Sequence, residues 1–239
     1  IITAAVITYK ALTVPKSKKY VVETIEANSK GYIKVGIISD AQLPQEEKNL
    51  YGWDYATVMN GADHLIKALK YYKSQNVDMI VFNGDMVNAT GDYAAYSAYN
   101  KILDYVYGED RAEAPHIIYP MGNHEFYGGN QEHNFYKSTG LPLNTRTIVN
   151  GYSFISISNS KLEKGDEELA ESNDTLADGT YNEKRIEFLK EQLAAANTED
   201  PNKPIFVFIH MPISNIVNGG HWATPQYEEI YSILKEYPQ

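Results

Sequence analysis

Short apolar runs alternate along the chain with polar loops and with stretches of 3.6-residue periodicity, an alternation that predicts a layered α/β fold. Ile33 to Ser39 (IKVGIIS) reads as a buried strand ending at Asp40, and Asp63 to Ser74 places Leu65, Ile66, Leu69 and Tyr72 on one helical face. Val77 to Asn83 (VDMIVFN) is the next strand, ending at Gly84-Asp85. A second helix is expected over Tyr93 to Tyr107, with Tyr93, Tyr96 and Tyr99 at core and rim positions. His116 to Pro120 follows as a strand that runs into Gly122-Asn123-His124-Glu125. Gly151 to Ser158 alternates Tyr152, Phe154, Ile155 and Ile157 with small polar residues, as a strand of a second sheet would. Lys161 to Thr180 is acidic and aperiodic, which suggests a solvent loop or a lid. Helix returns at Asn182 to Ala196 with Ile186, Leu189 and Leu193 inward, and Ile205 to Ile209 (IFVFI) is a strand terminating at His210. The last helix is expected to use Thr224 as N-cap and Pro225 as its first residue, with Ile230, Leu234 and Tyr237 inward.

No repeat or linker interrupts this series, so residues 31–239 read as one domain preceded by a separate segment, 1–30. Within that segment Ile1 to Val14 is mostly apolar but shorter than the about 20 residues a bilayer requires. Followed by Lys16, Lys18 and Lys19, it reads equally as an edge strand, the end of a membrane anchor lying upstream of Ile1, or the remnant of a signal segment. The compartment stays open.

Composition narrows the chemistry. The 239 residues are 43% hydrophobic, enough for a full core, and 31 acidic against 21 basic residues give a net charge of −10. Such a surface repels polyanions, so general nucleic-acid binding is not expected. A small phosphorylated substrate is compatible with it, because bound cations set the field inside a metal site. With no cysteine, any metal must be held by Asp, Asn, Gln, Glu or His.

The polar exceptions fall at strand ends: Asp40, Asp85, Asn123 and His210 each sit at or just beyond an apolar run. Open α/β sheets collect their ligands at the carboxyl ends of strands. Singly, each residue has an ordinary explanation as a cap or turn; as an ordered set they offer the oxygen and nitrogen donors that divalent metals use. Other polar residues read more plainly. His64 and His133 are expected to face solvent and His116 to be structural. Asn88 is expected in a turn or as a group supporting the ligands rather than as a ligand, and His221, in the loop Asn218 to Trp222, as a surface histidine beside a packed Trp rather than a substrate contact.

The motifs Asp40-Ala41-Gln42, Gly84-Asp85-Met86-Val87-Asn88, Gly122-Asn123-His124-Glu125 and a strand ending in His210 resemble those of the calcineurin-like metallophosphoesterases, from about Ile33 to the C-terminus. The resemblance implies an α/β/β/α sandwich of two mixed sheets flanked by helices, and hydrolysis of phosphate mono- or diesters. It also implies two divalent ions, with a metal-bridging water or hydroxide as nucleophile. Asp40, joined by Gln42, is then a ligand of the first metal. Asp85 bridges both, Asn123 and His210 bind the second, and His124 is the catalytic histidine that stabilises or protonates the leaving oxygen. The logic of the set is physical: two cations roughly 3.5–4 Å apart cancel phosphate charge and acidify water, and a carboxylate spans that gap.

Two departures qualify the resemblance. Gln42 stands where His is usual, which hardens the first site and favours Mn²⁺ or Mg²⁺, with iron and Zn²⁺ also compatible. The family's later G-H-x-H motif is not found before Gln239, so the sequence is expected to lack its last strands and one imidazole per metal. These departures motivate a second reading, a catalytically weakened relative that binds phosphorylated ligands without efficient turnover. Neither the substrate nor the oligomeric state is implied.

Overall fold

The computed structural model describes residues 14–28, 31–43, 55–88, 94–126, 131–160, 179–213, 224 and 226–239. In chain order the first half contains α1 (Lys16–Lys19), β1 (Tyr20–Ile25), β2 (Val35–Ile38), α2 (Tyr55–Gln75), β3 (Met79–Phe82), α3 (Ala94–Tyr107) and β4 (His116–Ile118). A 3-10 turn, His124–Phe126, leads into α4 (Gln131–Thr139), β5 (Asn144–Val149), β6 (Tyr152–Ser156), α5 (Glu183–Glu199), β7 (Ile205–Phe208) and α6 (Tyr227–Lys235).

Two sheets form. The three-stranded sheet has the order β2-β3-β4, all parallel, with Val35 opposite Met79 and Met79 opposite His116. Its central strand is buried along its whole length, which explains the unbroken apolar run MIVF. Successive side chains of a strand point to opposite faces. Ile80 and Phe82 therefore enter a core with Leu65 and Leu69 of α2 and Tyr99 and Leu103 of α3. Met79 and Val81 instead meet Ile118, Val149 and Phe154 between the sheets. The four-stranded sheet, β1-β5-β6-β7, is mixed: β1 is parallel to β5, β5 antiparallel to β6, and β6 parallel to β7. Its outer face carries Ile155 and Ile157 into a core with Ile186, Leu189 and Leu193 of α5 and Ile230 and Ile233 of α6. The layers are thus helices, sheet, sheet, helices, the expected α/β/β/α sandwich, but of the two sheets expected to be mixed only the four-stranded one is, the described strands of the other being all parallel. No described helix is long and apolar enough to cross a membrane.

Several elements differ from the hydrophobic pattern. β1, α4 and β5 have no strong apolar periodicity and were not expected. In β5 the buried residues Asn144 to Thr147 are polar, and Arg146 is almost fully buried. Its guanidinium is satisfied there, donating to Ser153 Oγ at 3.0 Å and to Glu199 Oε1 at 3.0 Å. A readable signal did exist in Asn150-Gly151: both have positive φ and close a two-residue hairpin turn, with Val149 paired to Tyr152. The last helix begins at Tyr227 with Gln226 in the cap position, not at Thr224 and Pro225. Thr224 is buried and forms the preceding turn, its hydroxyl accepting the Gln226 N–H at 3.3 Å. Helix α2 also starts before Asp63.

His116 is structural as expected: its Nε2 lies 3.2 Å from Glu23 Oε1 on β1, tying one sheet to the other. His64 is exposed, but His133 is half-buried because α4, which carries it, packs Phe135 into the core. The run 1–13, Tyr93, most of the polar stretch after Ser160, the His221 loop and Pro225 lie outside the described residues. An open apolar cleft of about 1190 Å³ lies between β2 and β7, lined by Ile37, Phe154, Phe206 and Phe208 among others, and none of the candidate ligands borders it.

Candidate metal centre

The polypeptide beyond β2 and β3 keeps running side by side after both strands end. Asp40 N–H donates to the Gly84 carbonyl at 3.1 Å, Gln42 N–H to the Asp85 carbonyl at 2.9 Å and Leu43 N–H to the Met86 carbonyl at 2.9 Å. This parallel pairing of loops places Asp40 next to Asp85. It also requires unusual backbone: Asp40, Gln42 and Asp85 have φ of 58°, 44° and 53°. They are three of the six described non-glycine residues at positive φ, a conformation that costs roughly 1–2 kcal/mol for L-residues and clusters at functional sites.

His210 reaches the same point from the other sheet, two residues beyond β7. Its Nδ1 donates to the Asn83 carbonyl at 2.8 Å, and the Asn83 side chain donates to the Ile209 carbonyl at 3.0 Å, so the end of β3 fixes both the ring and its backbone. Nε2 then faces Asp85 Oδ2 at 3.2 Å and Asn123 Oδ1 at 3.2 Å. Burial alone pushes the His210 ring down, but the Asp85 carboxylate and the Asn83 carbonyl outweigh it and hold the ring up to about 9. Burial likewise raises the Asp85 carboxyl, and the His210 hydrogen bond and charge, with His124, bring it below its ordinary range. A cation at Nε2 competes with that ring proton.

Asp40, Asp85 and His210 each place one donor atom within 4.8 Å of the others. Two carboxylates and an imidazole nitrogen whose other ring nitrogen is already engaged suit a hard or borderline divalent cation. Gly84 (φ 83°) is needed twice over, since a Cβ there would also come within 2.5 Å of His210 Nδ1. Asp85 is buried and Asp40 is exposed, so the group is closed beneath and open to solvent on one side.

A profile of the calcineurin-like phosphoesterases matches residues 33–237. The chain belongs to that family. As a calcineurin-like phosphoesterase it falls among metal-dependent phosphoester hydrolases that bind divalent ions. It aligns with the crystal structure of a dimetal phosphatase from Danio rerio at TM-score 0.61 and 17% identity, over 86% of this chain and 78% of that one, a likeness of fold. A cold-active protein-tyrosine phosphatase of a Shewanella species aligns at TM-score 0.31 and 13% identity, over 94% of this chain and 67% of that one, too low to bear on the fold. Comparison with curated proteins finds no match.

In this phosphoesterase His124 stands beside the group of three. Its backbone N–H donates to Asp85 Oδ1 at 2.9 Å, its Nδ1 donates to the Asn88 carbonyl at 2.9 Å, and its Nε2 lies 3.8 Å from Asp85 Oδ2. Asn88 thus acts through its carbonyl, as a turn residue orienting the ring. The structure brings Gln42 to the site by its backbone, bonded to Asp85. The residue whose part the sequence did not disclose is Glu125: fully buried, it accepts N–H groups from both the Asp85 and the Gly122 loops. Burial and the Asp85 charge push its carboxyl up, partly offset by the Tyr119 hydroxyl and His210.

Gly122 has no room for a side chain. A Cβ there would fall 2.2 Å from Asp85 Oδ1 and 2.8 Å from the Asp85 backbone nitrogen. Gly122→Ala is therefore expected to cost about 1–3 kcal/mol of stability by overpacking and to weaken metal uptake, measured by thermal unfolding and metal titration. Unchanged unfolding and metal affinity would show that the loops are loose here.

Proposed function

We propose that the chain hydrolyses phosphate mono- or diesters of small phosphorylated substrates at a centre of two divalent ions, held by Asp40, Gln42, Asp85, Asn123 and His210. The observation that carries the reading is the convergence of Asp40, Asp85 and His210 on one point from strands of two different sheets, with donors within 4.8 Å. Divalent ions supply charge neutralisation at phosphate and water that is acidic enough to attack near neutral pH. The chain's residues do the rest. Asp85 Oδ2 faces His210 Nε2 while Oδ1 accepts the His124 N–H, and the exposed side at Asp40 admits the ester. His124, oriented by the Asn88 carbonyl, is placed to give a proton to the departing oxygen.

A second reading, ligand binding without efficient turnover, is favoured by one observation: the group of three contains a single imidazole, and Gln42 stands where a second would be expected. One experiment addresses both. Hydrolysis of an aryl phosphate is followed while Mn²⁺, Mg²⁺, Zn²⁺ or Fe²⁺ is added, for the unaltered chain and for Gln42→His. Activity is expected to peak with Mn²⁺ or Mg²⁺ and to move toward Zn²⁺ or iron in Gln42→His, because an imidazole is the softer donor. Metal uptake without turnover for any ion would establish the binding reading. An optimum with Zn²⁺ that Gln42→His leaves untouched would remove Gln42 from the set.

A further inference from the structure

We propose that Glu125 is the positioning residue of this centre: its buried carboxylate holds the Asp85 loop in its left-handed turn before any cation arrives, so that Asp85 already faces His210. The inference rests on reading the site as a metal centre and concerns how tightly a cation is held. Glu125 Oε2 accepts the N–H of Asp85 at 2.9 Å and of Gly122 at 2.7 Å. Oε1 accepts the N–H of Met86 at 2.9 Å and of Val87 at 3.4 Å, and the Tyr119 hydroxyl at 2.7 Å. All five of these partners donate, which suits an anion. Three of them are consecutive backbone amides turned toward one carboxylate, the concave arrangement that binds anions when a chain passes through a left-handed residue, here Asp85.

The other side of the same loop is held differently. The carbonyls of Gly84, Asp85 and Met86 accept the amides of Asp40, Gln42 and Leu43. Its carbonyls are therefore fixed by the loop after β2 and its amides by Glu125. Removing the anion leaves buried amides without an acceptor, and the loop gains by abandoning the strained turn at Asp85. Through Gly122 the same carboxylate ties in the loop that carries Asn123 and His124, so one group sets the spacing between two ligand-bearing loops. Glutamine keeps the shape but turns an NH₂ donor toward amides that also donate.

The test is a Mn²⁺ titration of the unaltered chain and of Glu125→Gln by calorimetry, with folding followed by near-UV circular dichroism. Amide exchange at Asp85, Met86 and Gly122 is read by NMR. These amides are expected to be protected in the unaltered chain before Mn²⁺ is added. In Glu125→Gln the fold is retained, their protection drops about tenfold or more, and the Mn²⁺ Kd weakens by about 10–100-fold, as for groups that orient ligands. A merely structural role would lower the unfolding temperature without changing the Kd of the folded fraction. A folded Glu125→Gln with the unaltered Kd overturns the inference. So does an unaltered chain whose amides exchange freely until Mn²⁺ is added, a measurement that needs no variant to fold. An unaltered chain that takes up no Mn²⁺ overturns the metal-centre reading and this inference with it, and only that failure leaves the first titration flat.

Discussion

Asp85→Asn is expected to remove all but about one thousandth of the phosphoester hydrolysis, the largest loss of any single substitution in the site. Substituting a group that merely orients a ligand typically costs about 10–100-fold, and Asp85 is proposed to be a ligand shared by both ions, so its loss should exceed that range. The structure makes asparagine the cleaner replacement. Asp85 has φ of 53°, a conformation asparagine tolerates and alanine does not. Asparagine also keeps an oxygen for the His124 N–H, which Oδ1 now accepts at 2.9 Å. What it removes is the negative charge beside His210 and one metal-binding oxygen. The measurement is kcat with saturating Mn²⁺ together with metal content. Near-normal hydrolysis in Asp85→Asn would mean that the two-ion assignment is wrong.

His124→Ala and His210→Ala are expected to fail in different ways. His124→Ala should lower kcat by about 10²-fold, the lower end of the usual contribution of general acid–base catalysis, while metal content stays close to normal. The geometry permits this separation. The contact between His124 and Asp85 Oδ1 is made by the backbone N–H and survives truncation of the side chain, whereas the ring bonds to Asn88. His210→Ala removes the nitrogen that faces Asp85 and Asn123, so metal content itself should fall. It also leaves the buried Asp85 charge without its partner, a destabilisation of about 3–5 kcal/mol for a broken buried pair. Thermal unfolding must therefore accompany the metal assay. The His124→Ala defect should shrink for substrates with good leaving groups, which need little protonation. Loss of metal in His124→Ala, or a defect that is independent of the leaving group, would contradict the assigned roles.

The sequence by itself determined which residues could meet at a site. Each apolar run marks a strand, buried throughout in β3 but leaving Ile37 of β2 and Phe206 of β7 exposed at the cleft, and a polar residue placed where such a run stops has to leave the sheet at its carboxyl end. Asp40, Asp85, Asn123 and His210 were legible for that reason, as were the helical faces carrying Leu65 and Leu69 or Ile186 and Leu189, because their spacing reflects burial on one side. Strand β5 was not legible, because its buried face is polar and Arg146 is satisfied by Glu199, a residue far away in the chain.

Only the tertiary structure decided that the strand ends of two separate sheets meet, bringing His210 from β7 to the carboxylates that follow β2 and β3. It also decided the left-handed turns at Asp40, Gln42 and Asp85, which local preference disfavours and the pairing of neighbouring loops imposes. The position of Glu125 was hidden for the most general reason. Four of the five partners described above are backbone N–H groups, which every residue except proline possesses, so no choice of side chain could announce them before the chain had folded.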